Sequence, residues 1–148
     1  MVKLDKKEIT SLIQKVLDNN LSLLKMFVYE SISYTCSDNE ITIEYGYFGK
    51  ISMYKTTITI KVLDNSTTVE YTCYGDCIKE EIKKDDNENY YSYIEKILDC
   101  IYSVIKKIRD KIINMEKELA KKIVLENIEE LGLVADDVQI YLYLESPQ

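Results

Sequence analysis

Near the start of the chain Ile9, Leu12, Ile13, Val16, Leu17, Leu21 and Leu24 recur about every 3.6 positions, which predicts an amphipathic helix with one buried stripe over residues 4–27. Asp5 and Glu8 stand in capping-box spacing at its start, with Asp in place of Ser or Thr. From Ser31 the period changes to two. Ile32, Tyr34 and Cys36 alternate with polar residues, and after the turn signal "SDN" so do Ile41, Ile43 and Tyr45. "GYFG" reads as a second turn. In the following "KISMYKTTITIKV", Ile58, Ile60 and Val62 share one face while Lys55, Thr57, Thr59 and Lys61 share the other. "LDNS" turns the chain into "TTVEYTCY", where Val69, Tyr71 and Cys73 alternate with polar neighbours. These segments predict a four-stranded antiparallel meander with one buried and one polar face.

"KEEIKKDDNEN" reads as a charged connector, after which helical periodicity persists from Tyr90 to about Leu131 without a Gly or Pro. Ile105, Ile108, Ile112, Met115 and Leu119 keep alternate spacings of three and four across Asn114, so one continuous helix is favoured over a hairpin. Roughly 40 residues at 1.5 Å each reach about 60 Å, more than a domain of this size spans. Gly132 is placed as a C-cap, and "VQIYLYLE", with Val138, Ile140, Leu142 and Leu144 on one face, as a fifth, C-terminal strand. The expected architecture is a single α+β domain over 1–148, in which the N-terminal helix and part of the long helical region pack on one sheet face.

Composition supports a folded chain: 46% of the 148 residues are hydrophobic and 30% charged, with a single proline. No apolar run approaches the roughly 20 residues of a membrane span, and "MVKLDKKEIT" lacks a secretory signal, so a cytoplasmic protein with no membrane partner is expected. Arg109 is the sole arginine among 19 basic residues, a lysine bias that fits an AT-rich gene or a thermophilic source. Size and charge fit a virus- or plasmid-encoded protein.

The candidate chemistry narrows by elimination. There is no histidine, which removes Ser-His-Asp and Cys-His nucleophiles and every imidazole zinc site. "DDNENYYSYIEK" opens like a calcium loop, but Tyr90 stands where Gly is needed and Lys96 where the bidentate Glu is needed. Cys73 and Cys77 are separated by three residues, so they form no Cys-x-x-Cys motif; around Gly75 they read as free thiols or as a disulfide pinning a turn. Cys36 and Cys100 lie too far along the chain to complete a metal site by spacing alone, and Cys100 reads as core. Neither metal nor cofactor is expected.

Lysines outnumber acids in the long helix, yet a net charge of −7 and the lack of aromatics between Tyr102 and Tyr141 disfavour nucleic acid. Of the 13 tyrosines, Tyr34, Tyr45 and Tyr71 fall on apolar strand faces, whereas Tyr54, Tyr74, Tyr141 and Tyr143 fall out of phase and are expected to line a binding surface. The stripe Ile105, Ile108, Ile112, Met115 and Leu119 on a helix longer than its domain predicts a homodimer seam. The function these features favour is a non-catalytic, intracellular protein-interaction or regulatory role, with a second macromolecule as partner. The alternative is a nucleotide-like small-ligand binder or a histidine-free enzyme using Tyr, Lys and carboxylate groups.

Overall fold

Short reversals tie five strands into one antiparallel sheet whose spatial order, β1-β2-β3-β4-β5, repeats the chain order. The structure is a computed structural model and describes residues 3–127. The strands are β1 (Glu30–Ser37), β2 (Glu40–Phe48), β3 (Met53–Val62), β4 (Ser66–Cys73) and β5 (Asp76–Lys83). Helix α1 (Lys6–Asn20) precedes the sheet and α2 (Tyr90–Asn127) follows it, giving the α+β architecture expected from the periodicity. Gly132, the segment 138–145, Tyr141 and Tyr143 lie outside the described residues.

The Asp5 carboxylate accepts the Glu8 amide at 3.1 Å and starts α1. The helix ends before its apolar period does, because Leu21–Leu24 tighten into a 3₁₀ turn whose last carbonyl accepts from Arg109 Nη2 at 3.3 Å. Two-residue turns close the β1–β2 and β4–β5 hairpins, at Asp38-Asn39 and Tyr74-Gly75. Both demand positive φ: Asp38 has 51°, Tyr74 26° and Gly75 112°.

Two expectations change. β2 runs on through Gly46 and Tyr47 to Phe48, paired with β1 as far as Glu30↔Tyr47, so the reversal falls at 49–52 and not in "GYFG". The segment taken for a charged connector begins within a fifth strand, β5, which pairs with β4 from Cys73↔Asp76 to Ser66↔Lys83. Helix α2 is capped by Asn89, whose Oδ1 accepts the Ser92 amide at 2.9 Å.

Helix α2 runs unbroken through Asn114 for 38 residues, about 57 Å at 1.5 Å per residue. Both helices lie on one face of the sheet. Ile9 and Ile13 of α1 meet Ile43, Ile58 and Val69 of the sheet and Ile101 of α2 in one core, each fully buried. Ile105, Ile108 and Ile112 belong to this same core at 0–1% exposure, so the expected dimer seam is covered within one chain over these three positions. Among the described residues no helix is long and apolar enough to cross a membrane.

Candidate functional site

A five-stranded meander has two edges, and here their chemistry differs. Every second position of β5 from Lys79 to Lys83 carries charge, and so does Glu80 between them: Lys79 approaches Glu70 at 3.9 Å, Lys83 approaches Glu81 at 3.4 Å and Glu80 approaches Lys107 at 3.6 Å. β1 carries no charge and no proline from Ser31 to Ser37, and its register runs without a bulge from Glu30↔Tyr47 to Ser37↔Glu40. Charge, proline and bulges are the means by which sheets block unwanted pairing at an edge. Among the described residues β5 has such protection and β1 has none.

The backbone phase of β1 follows from two bonds. Phe48 N–H donates to the Tyr29 carbonyl at 2.9 Å, so Tyr29 and Phe48 form a hydrogen-bonded pair, while Glu30 N–H turns away from β2 to the Phe27 carbonyl at 3.1 Å. Alternation along an antiparallel ladder then directs the amides and carbonyls of Ser31, Ser33 and Thr35 into β2. Those of Ile32, Tyr34 and Cys36 point out of the sheet edge. Ser33, Thr35 and Cys36 are exposed, and Ile32 and Tyr34 half-buried.

This edge is firmly held from behind. Glu30, 2% exposed at the start of β1, accepts from Arg109 Nε at 2.7 Å and Nη2 at 3.2 Å, from the Met26 and Phe27 amides at 2.7 and 2.8 Å, and from the Tyr45 hydroxyl. Burial by itself would raise the Glu30 carboxyl, but the Arg109 bond and the other donors outweigh it and hold the group below its usual range. The same burial, with the bond to Glu30, pushes the Tyr45 hydroxyl far up. Arg109 also sits 5.8 Å over the Phe27 ring. At mid-strand the Tyr34 hydroxyl donates to Asp18 of α1. Sequence reasoning missed this buried ion pair, whose only local signal is the lone arginine.

From Phe27 an unbroken run of ring contacts crosses the sheet end: Tyr29 at 5.0 Å, Tyr47 at 5.1 Å, Tyr54 at 6.4 Å and Tyr74 at 5.8 Å between successive centroids. Tyr54, expected at a surface, is therefore core; it is in phase with Ile58 and Ile60, and its hydroxyl donates to buried Glu116 at 3.0 Å. Burial and that bond push it up to about 12. Glu116 also accepts the Ile51 amide at 3.3 Å and fills the space above Gly49, where a Cβ would lie 2.0 Å from its Oε1. Tyr74 is half-buried and donates to the Lys55 carbonyl at 3.2 Å.

The remaining expected site residues are dispersed. Cys73 stands opposite Asp76 and Cys77 opposite Thr72, so the hairpin turns the two side chains to opposite faces; both are free thiols, and no disulfide closes the turn. Cys100 donates to Glu80 at 3.2 Å, and burial followed by this bond pushes its thiol up to about 12. Met115 and Leu119 are half-buried beside a hollow of about 570 Å³ that also involves Lys111 and Lys122. On the polar sheet face Ser31, Ser33, Glu44, Lys55, Thr57 and Tyr74 line a second hollow, of about 600 Å³. Among the described residues no group of three or more Cys, Asp or Glu is placed to hold a metal ion. No protein-family model, curated protein or solved structure matches the chain.

Proposed function

We propose that this chain is a non-catalytic protein-interaction module that receives an extended polypeptide segment along the edge of β1. The observation that carries the reading is the unguarded edge: eight regular residues with no charge from Ser31 on, and outward amides and carbonyls at Ile32, Tyr34 and Cys36. Strand addition draws its affinity from such main-chain groups and its specificity from alternate side chains. The anchoring of β1 by Glu30, Arg109 and Asp18 supports the reading, since a preorganised edge loses little entropy on binding. Large apolar side chains stand exposed in the segment leading into β1, Leu23 at 71%, Met26 at 70% and Val28 at 93%, and would extend the contact area. Four free thiols suit a reducing, cytoplasmic setting.

Peptide-display selection tests the proposal. Ligands selected on the wild type should be β-prone and should be lost on Cys36→Pro, which removes an outward amide that the fold does not use. They should survive Lys83→Pro at the opposite edge. If selection yields only ligands indifferent to Cys36→Pro, the β1 reading is wrong. A second reading, small-ligand binding, is favoured by the hollow of about 600 Å³ on the polar face, and a thermal-shift screen whose hits weaken on Lys55→Ala would support it.

A further inference from the structure

We infer that the occupant of the β1 edge is the β1 strand of a second copy, the two five-stranded sheets joining into one ten-stranded sheet about a twofold axis. The inference rests on the edge reading above and adds the identity of the partner. A twofold axis perpendicular to the sheet makes β1 and its counterpart antiparallel and keeps the polar faces of both copies on one side. Pairing must then unite residues of the same face and join outward groups with outward groups. Among the described residues only Ile32, Tyr34 and Cys36 offer outward groups on β1 that are left unused, because Glu30 has given its amide to Phe27. One register uses all three. With Tyr34 on the axis, Tyr34 bonds to Tyr34 of the partner subunit, Ile32 to Cys36 of the partner subunit, and Cys36 to Ile32 of the partner subunit, which closes six backbone hydrogen bonds. A shift by two residues would place Cys36 against the spent amide of Glu30.

The side chains agree with this register. Ser33 falls opposite Thr35 of the partner subunit and Ser31 opposite Ser37 of the partner subunit, so the exposed face of the joint consists of hydroxyl pairs with no charge opposed to its own image. The β5 edge differs in that its alternate positions Lys79, Glu81 and Lys83 are all charged, and charge along an edge strand acts against pairing. The net charge of −7 acts against association over longer range, so the dimer should tighten as salt screens that repulsion. Ser31 and Ser33 also belong to the lining of the hollow on the polar face, so the second copy would stand beside that wall.

Sedimentation velocity on the full chain, from low micromolar to about 1 mM, tests the inference together with two edge variants. The wild type should dimerise with concentration, and Cys36→Pro should raise the dissociation constant at least tenfold while leaving the circular dichroism unchanged, because proline is tolerated where an edge N–H faces outward. Thr35→Pro, whose amide is committed to β2, should instead unfold the protein. Register is read by mixing Ser33→Cys with Thr35→Cys, each in a Cys36→Ser background: the mixture should form an oxidised cross-linked dimer faster than either variant alone. A wild type monomeric up to 1 mM overturns the inference, and so does a dimer indifferent to Cys36→Pro or one that cross-links equally in all three samples. If the monomer still binds selected peptides in a Cys36→Pro-sensitive way, the edge reading stands and only the second copy is excluded.

Discussion

Replacing Arg109 with Met removes the charge that balances Glu30 while keeping much of the side-chain volume. Glu30, 2% exposed in the wild type, would keep the Tyr45 hydroxyl and the Met26 and Phe27 amides as its donors among the described residues. Breaking a buried pair from one side costs roughly 3 to 5 kcal/mol, because the surviving charge keeps its desolvation penalty without its partner. That is a large share of the roughly 5 to 15 kcal/mol that holds a domain folded. For a chain of this length it corresponds to a fall of about 6 to 20 °C in Tm. The pH dependence sharpens the test. In the wild type the Glu30 carboxyl lies below its ordinary value of 4.5, so the pair's stabilisation is complete above that value and is lost as pH falls through the lower, folded one. In Arg109→Met burial meets weaker opposition and the carboxyl rises from its wild-type position. The variant therefore takes up its proton at higher pH, and its deficit should shrink in acid. Urea denaturation of both proteins at pH 7 and pH 4 measures the two deficits. A loss below about 1 kcal/mol at pH 7, or an equal loss at both pH values, would refute the account of Glu30 as a buried, ionised acceptor.

Gly49→Ala should cost about 1 to 3 kcal/mol, since its Cβ would meet Glu116 Oε1 at 2.0 Å and the Ser52 carbonyl at 2.8 Å; an unchanged Tm would show that Glu116 is not seated there. Ile112→Ala should cost about 2 to 5 kcal/mol in chemical denaturation at every protein concentration, because Ile112 is core; a loss that vanishes on dilution would return it to a dimer seam. Mass-spectrometric thiol labelling at pH 8 should modify exposed Cys36 and Cys77 first and Cys100 last, and mild oxidation should leave Cys73 and Cys77 unlinked within a chain. Spectrophotometric titration should find Tyr45, Tyr47 and Tyr54 neutral well above pH 10, burial being the main cause in each, with Tyr54 ionising near 12. The stability from keeping these hydroxyls neutral is complete below the ordinary value of 10.0 and is lost as pH rises through the folded values, so unfolding should begin in that window; normal titration of all tyrosines in folded protein would contradict the burial.

What could be read from the chain and what could not divide along the range of the interactions. Period and capping are local, and they found α1, four strands and an unbroken α2. β5 escaped because Glu80 interrupts its inward apolar face between Ile78 and Ile82, and what makes that acid tolerable, Lys107 with Cys100, lies on another element. Tyr54 falls out of phase with Ile51 and Met53, which stand before β3 and at its first position, whereas the body of the strand sets the phase by Ile58 and Ile60, which Tyr54 shares. The spacing of Ile105, Ile108 and Ile112 is the same for a stripe against a sheet and a stripe against a second helix; only the sheet beneath them decides, and no sequence period encodes it. The candidate site has the same character. The neutrality of "SISYTCS" was legible from the start, but neutrality acquires meaning only at an edge, and β1 becomes an edge because nothing among the described residues pairs beyond it in the order β1-β2-β3-β4-β5. Even the phase of its free amides depends on a bond, Phe48 to Tyr29, that exists only once β2 runs past Gly46. A single residue of slip there would turn Ser33 and Thr35 outward in place of Ile32, Tyr34 and Cys36, and a proline at 35 would then be the tolerated one. The pair of variants Thr35→Pro and Cys36→Pro thus reads the register of the edge directly, whatever protein comes to occupy it.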